Sequence, residues 1–333
     1  MTSQERKYLP GIDLLKFILA ILIVSAHCSL FVEYNLLHKW WGHLTAIAVP
    51  IFLGISSYLF FRKEYAAPEN SDTRPLLIRT LKRLAILFAC WYILVSPMTY
   101  SLFFSVATLK ETIFAIFLSC TTRGYWFIKA LFINTAILYF CRKTEALIAC
   151  SIIAFSVYLY CSYNYVFHYN SFLITLHPYY SFYYNTAFFC IGALFARFQD
   201  KICFESWHQG VLLLVWLILF LLLETTPYLK PLFLLLSIII LFPVFYQQNY
   251  SYSPNTYKTL RDMSIILYMV QFLLIWIYDG ACSIWLSNYS HTFDLFQNSL
   301  VRFSFVISAC IFIAWIILHL EKKSHFCYLR YLH

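Results

Sequence analysis

Residues 12–31 read IDLLKFILAILIVSAHCSLF, twenty positions of almost unbroken apolar character into which Asp13, Lys16 and His27 are set. A run of that length crosses a hydrocarbon layer of about 30 Å as an α-helix. Its three ionisable groups are not scattered around that helix. Lys16 and His27 are eleven residues apart, which at about 100° per residue brings the second to within roughly 20° of the first, and the rise between them is about 16 Å. Asp13 precedes Lys16 by three positions, the spacing at which a carboxylate and an ammonium interact on one helix face. A polar stripe therefore runs along one side of a membrane helix. Such groups are costly in lipid and face a polar interior or a pathway.

The rest of the chain repeats the apolar theme. Of its 333 residues 62% are hydrophobic and 12% charged, against about 25% charged in soluble domains. Apolar runs recur at roughly 12–32, 44–61, 84–105, 124–141, 145–163, 182–198, 209–225, 231–246, 263–280 and 299–320, each near the length of a transmembrane helix. The expectation is an all-α polytopic membrane bundle of about ten transmembrane helices, forming one integral-membrane domain over 1–333. Connections are short, and 33–43, 164–181 and 281–298 read as loops. A cleaved signal peptide is not expected, since the first run is too long and no small-residue cleavage site follows it.

Basic residues set the orientation, because Lys and Arg are retained on the cytoplasmic side. With the amino terminus inside, one set of loops carries Arg6, Lys7, Arg62, Lys63, Arg74, Arg79, Lys82, Arg83, Arg142, Lys143, Arg197, Lys201, Lys258, Arg261, Lys322, Lys323 and Arg330. The opposite set carries only Lys39, Lys110, Arg123, Lys230 and Arg302. Both termini are thus expected in the cytoplasm. This sorting, together with anionic lipid headgroups, accounts for the net charge of +9 without nucleic acid. The eleven cysteines show no CxxC pair, so they read as packing residues, with a Cys120–Cys282 disulfide as the one outer-side pairing considered.

Two further clusters stand out. Arg74, Arg79, Lys82 and Arg83 in RPLLIRTLKRLAILF gather positive charge just before the third span, either as a positive-inside anchor or as a grip on a phosphorylated ligand. In TTRGYWFIKALF, Trp126 and Lys129 mark the outer beginning of the fourth span. Trp126 suits an interfacial belt whatever the function, and Lys129 either snorkels or shares a polar cavity with His27.

Together these segments resemble the bacterial acyltransferase family 3, multi-span O-acyltransferases that modify surface polysaccharides. The family's opening pattern, close to iDxxRxxxxxxxxVxxxH, is matched by GIDLLKFILAILIVSAH, with Asp13 and His27 in register and Lys16 at the arginine position. AVPIFLGISSYLFFRK is similar to vPlFFxiSGYll, with Ser57 in place of glycine; RTLKRL, GYWFIKALF and NTAFFCIGALFAR match later segments. MSIILYMVQFLL places Gln271 where a histidine is frequent. The resemblance spans about 10–320. It implies transfer of an acetyl group from cytosolic acetyl-CoA to a sugar hydroxyl or lipid-linked glycan at the outer face of the bacterial inner membrane. His27 would act as general base or carry the acetyl group, Asp13 and Lys16 would form the polar path, Arg79, Lys82 and Arg83 would hold CoA phosphates, and Trp126, Lys129 and Gln271 would contact substrate. Lysine at 16 lacks the bidentate fork of arginine, and the amide of Gln271 carries no proton as imidazole does. The same intramembrane charges also fit a secondary transporter or flippase for an anionic or lipid-linked substrate, although no inverted repeat is found.

Overall fold

The structure is a computed structural model that describes residues 9–68, 71–104, 126–166, 181–199, 206–246, 253–285 and 298–323, together with 329 and 332. Among the described residues every regular element is helical. They are α1 (Pro10–His27), α2 (Asn35–Ala46), α3 (Ala48–Tyr65), α4 (Arg74–Phe104), α5 (Trp126–Phe140), α6 (Thr144–Val166), α7 (Phe182–Phe198), α8 (Ser206–Leu222), α9 (Lys230–Tyr246), α10 (Pro254–Trp285) and α11 (Ser299–Glu321), with a short 3-10 turn, Pro227–Leu229, leading into α9. Each apolar run of the sequence falls on a helix. Six stretches are long and apolar enough to cross a membrane: Pro10–His27, Asn35–Tyr65, Thr144–Asn164, Pro227–Tyr246, Asn255–Ile284 and Ser299–Glu321; Trp126–Phe140 and His208–Leu222 are shorter apolar helices.

The segment read as a loop at 33–43 is instead largely helix. Leu36, Leu37, Trp40, Trp41 and Leu44 recur at helical spacing, and α2 runs into α3 through a single break at Ile47. The Trp41 indole N–H donates to Ser25 Oγ (2.8 Å), and the Lys16 ammonium lies 5.9 Å from the centre of the Phe52 ring. Those two contacts fix an antiparallel register in which α2 lies beside the His27 end of α1 and the start of α3 beside Lys16. The basic RTLKRL stretch, expected just ahead of a span, forms the first turns of α4.

Close helix packing relies on small residues, since lipid supplies no hydrophobic drive between helices. A Cβ added to Gly192 of α7 would meet the Gly54 carbonyl oxygen of α3 at 2.0 Å and Ser57 Cβ at 2.8 Å. Ser57 adds a hydrogen bond from its hydroxyl to the Phe189 carbonyl (2.6 Å). Buried polar side chains act as further ties: Thr186 Oγ1 donates to Asn134 Oδ1 (2.8 Å), Tyr158 OH to Pro231 O (3.0 Å), and the Trp216 indole to Ser237 Oγ (2.8 Å). Meanwhile Leu214, Ile218 and Leu221 of α8 and Phe305, Phe312 and Trp315 of α11 are exposed. An apolar exterior over polar ties is the pattern expected where the solvent is hydrocarbon.

The ends of α3, α5 and α7 are joined by a second polar set. Glu64 is buried, accepts from Thr73 Oγ1 (2.7 Å) and pairs with Arg142 (3.1 Å), whose guanidinium lies 4.4 Å from the Tyr139 ring. Arg197 lies over the Tyr65 ring (5.1 Å) and donates to Thr144 Oγ1 (2.9 Å). Cys282 is a buried free thiol; Cys120 lies outside the described residues.

Candidate active site

The stripe on α1 is the spine of the site. Pro10 occupies the first helical turn with Asp13 close behind, a start favoured because proline lacks an N–H that would go unpaired there and a carboxylate suits the helix N-terminus. Asp13 and Lys16 are 6% and 8% exposed. Burying two opposite charges is tolerable only with company, and the company comes from two other helices. Arg261 and Asp262 at the start of α10, with Arg83 on α4, are the charges that act on this pair, with no direct ion pair joining Asp13 to Lys16. Arg261 and Asp262 pair with each other at 3.1 Å. Two carboxylates thus face three cations. Asp13, Lys16 and Asp262 are buried, whereas Arg83 is exposed and Arg261 partly so, so positive charge leads from the surface to a buried ammonium.

Of the three α4 residues expected to hold CoA phosphates, only Arg83 enters this field; Arg79 and Lys82 are exposed on the same helix. Arg79 and Arg83 lie four positions apart and share a face. Arg261 was hidden in the sequence among the orientation charges, and Asp262 was not singled out. Nothing in a single chain announces that the start of α10 lies beside the start of α1, some 250 positions away.

At the other end of α1 stands His27. Its side chain is exposed. The imidazole packs on Phe272 of α10, with ring centroids 4.5 Å apart and planes tilted by 57°. Asp13 beside Asp262 at one end and His27 beside Phe272 at the other make α1 and α10 parallel neighbours. The structure therefore separates the three stripe residues into two stations, Asp13 and Lys16 together and His27 about 16 Å further along the helix.

Gln271 is fully buried. Its amide N–H donates to the Tyr268 carbonyl (3.0 Å), while its own carbonyl oxygen has no partner. A buried acceptor left unpaired costs about 1–3 kcal/mol, so the position holds unused capacity to receive a donor. Trp126 and Lys129 are partly buried at the start of α5. Phe127, between them, packs edge-on to Phe52 (5.6 Å) and against Tyr268 (5.2 Å). Because Lys16 lies over the same Phe52 ring, the start of α5 sits at the depth of Lys16. Phe52 joins α1, α3 and α5, a role that composition alone does not reveal.

Chemically, this is a helix with a charged, cation-rich station at one end and an exposed imidazole at the other. A family model described as an acyltransferase domain matches residues 9–319. The chain belongs to acyltransferase family 3. The match takes in α1 through α10 and nearly all of α11. No curated protein and no solved structure matches the chain.

Proposed function

We propose that this acyltransferase moves an acetyl group from acetyl-CoA, bound from the cytoplasm at the Pro10 end of α1, to a hydroxyl of a sugar or lipid-linked glycan at the opposite face of the bacterial inner membrane. The observation that carries the reading is the division of α1 into two stations. In this orientation the termini are cytoplasmic, and ten spans result when the six long apolar stretches and the two shorter apolar helices are joined by α4 and α7.

Arg83, Arg261 and the exposed Arg79 and Lys82 supply charge-assisted bonds to the phosphates of CoA. Lys16, beside Asp13, draws the donor inward along the stripe. The acyl-pantetheine arm then lies parallel to α1, with its thioester toward His27. As general base, the neutral imidazole takes the proton of the acceptor hydroxyl while that oxygen attacks the thioester carbonyl. The tetrahedral intermediate expels the CoA thiolate, and the imidazolium returns the proton to give free CoA and the acetyl ester. In the covalent variant the imidazole attacks first, releasing CoA, and the acceptor hydroxyl then takes the acetyl group from nitrogen. Trp126, Lys129 and Gln271 lie along α5 and α10 as acceptor or donor contacts, with the free carbonyl oxygen of Gln271 available to a ligand donor.

The test uses purified protein in proteoliposomes supplied with radiolabelled acetyl-CoA and a membrane glycan fraction. An acyltransferase releases free CoA in step with acetyl ester formation. A transporter or flippase moves its substrate and releases none, and that outcome would overturn the proposal.

A further inference from the structure

The turn that follows His27 is strained, and its strain is held by a specific contact. α1 closes in a Schellman arrangement: Ser29 N–H donates to Ala26 O and Leu30 N–H to Ser25 O, each at 3.1 Å. Ser29 takes the left-handed position (φ 53°), and Phe31 adopts a second left-handed conformation (φ 65°). Glycine is the usual occupant of such a site, and side-chain-bearing residues stay there only where their surroundings over-determine them.

Those surroundings are traceable. The Glu33 carboxylate accepts two hydrogen bonds from one residue, Ser299: Oε1 from its backbone N–H and Oε2 from its hydroxyl, both at 2.5 Å. The same hydroxyl oxygen accepts the Phe31 N–H at 3.0 Å. Ser299 is buried at the first position of α11. That helix already has its cap, since Asn298 Oδ1 accepts the Leu300 N–H at 3.0 Å; Glu33 is therefore not needed to start α11, and its effect passes through Ser299 back into the turn. One turn on, Arg302 binds Asp279 of α10 at 2.6 Å, and α10 also carries the Phe272 ring against which His27 packs. The contacts close a circuit: His27 to α10, α10 to α11, α11 through Ser299 and Glu33 to the turn that ends α1. Burial works to raise the Glu33 carboxyl, but the bonds from Ser299 outweigh it and hold it below the usual glutamate value, so it remains an ionised acceptor at neutral pH.

We propose that Glu33, acting through Ser299, is a positioning residue for His27, holding the left-handed turn at 29–31 so that the imidazole keeps its place against Phe272. This deepens the reading of His27 as the acyl-handling group and rests on it. The adjacent Cys28 is fully buried and reports on the turn without reference to catalysis.

The experiment compares the parent with Glu33→Ala, Ser299→Ala and His27→Ala in nanodiscs, reading N-ethylmaleimide labelling of Cys28 by peptide mass spectrometry alongside acetyl transfer. Glu33→Ala is expected to speed Cys28 labelling about tenfold or more, as a locally opened segment does. Its kcat should fall roughly 10- to 100-fold, as for a misplaced catalytic group, with the KM for acetyl-CoA within about twofold of the parent. Ser299→Ala, which retains the backbone bond to Glu33, should shift both readouts the same way by less, and guards against a fold failure in the first variant. Parental Cys28 labelling in Glu33→Ala would overturn the clamp itself. Parental turnover in His27→Ala would instead overturn the catalytic reading beneath it, and the two failures are read on separate signals.

Discussion

Replacing Asp13 with asparagine should damage the fold more than replacing Lys16 with methionine, and the double variant should recover part of the loss. Lys16→Met leaves Arg83 and Arg261 facing Asp13 and Asp262, a balanced set. Asp13→Asn leaves Lys16, Arg83 and Arg261 facing Asp262 alone, with Lys16 buried. Residues three apart on a helix lie about 5–6 Å apart; with an effective dielectric near 20, their attraction is about 3 kcal/mol. Losing it, and with it part of the hold on Arg261, leaves the buried Lys16 ammonium without its nearest counter-charge and puts Asp13→Asn at ~3–5 kcal/mol. A well-packed methionine at 16 is expected to cost under about 1.5 kcal/mol by volume. Reversible unfolding in mixed detergent micelles, run as a double-mutant cycle, should give a coupling of about 3 kcal/mol between positions 13 and 16. Single losses that add to within about 0.5 kcal/mol would show the two charges to be independent and refute the paired station.

Three other changes give separate checks. Gly192→Ala would place a methyl group 2.0 Å from the Gly54 carbonyl oxygen; it is expected to force α3 and α7 apart at a cost of about 3 kcal/mol or more, read as a lowered thermal midpoint and lost expression. Ser29→Gly relieves a left-handed serine (φ 53°) and should stabilise the protein by about 1 kcal/mol with transfer activity retained, as a raised thermal midpoint would show. If Arg261 holds a CoA phosphate as proposed, Arg261→Gln should raise the KM for acetyl-CoA about tenfold, the scale of one charge-assisted bond, with kcat little changed.

The stripe on α1 was legible because helical geometry alone brings positions 16 and 27 to one face, whatever surrounds them. The helical class followed from apolar run lengths that admit no other structure in lipid. What could not be read was which helices face that stripe. Arg261 looks like an orientation charge until α10 is laid parallel to α1, and that pairing depends on packing between distant segments. Residues 35–43 read as a loop because His38, Lys39, Gly42 and His43 give a loop-like composition, while the tie that holds the helix, Trp41 to Ser25, is tertiary. Ser57 could be noted as a departure from glycine, but its hydrogen bond to Phe189 and the close approach of Gly192 to Gly54 need both helices in view. The Glu33–Ser299 contact joins positions 266 apart in the chain, beyond any local pattern.

Transfer across the membrane by the parent and by His27→Ala is the most direct test of the two-station helix. In sealed inside-out vesicles, labelled acetyl-CoA is added to the cytoplasmic face and acetyl ester is measured on glycan inside. The parent should label lumenal carbohydrate and release CoA, and His27→Ala should do so about 10²- to 10⁴-fold more slowly, the range for loss of a general base. Labelling by His27→Ala at the parental rate would contradict the assignment of His27 as the group that handles the acyl transfer.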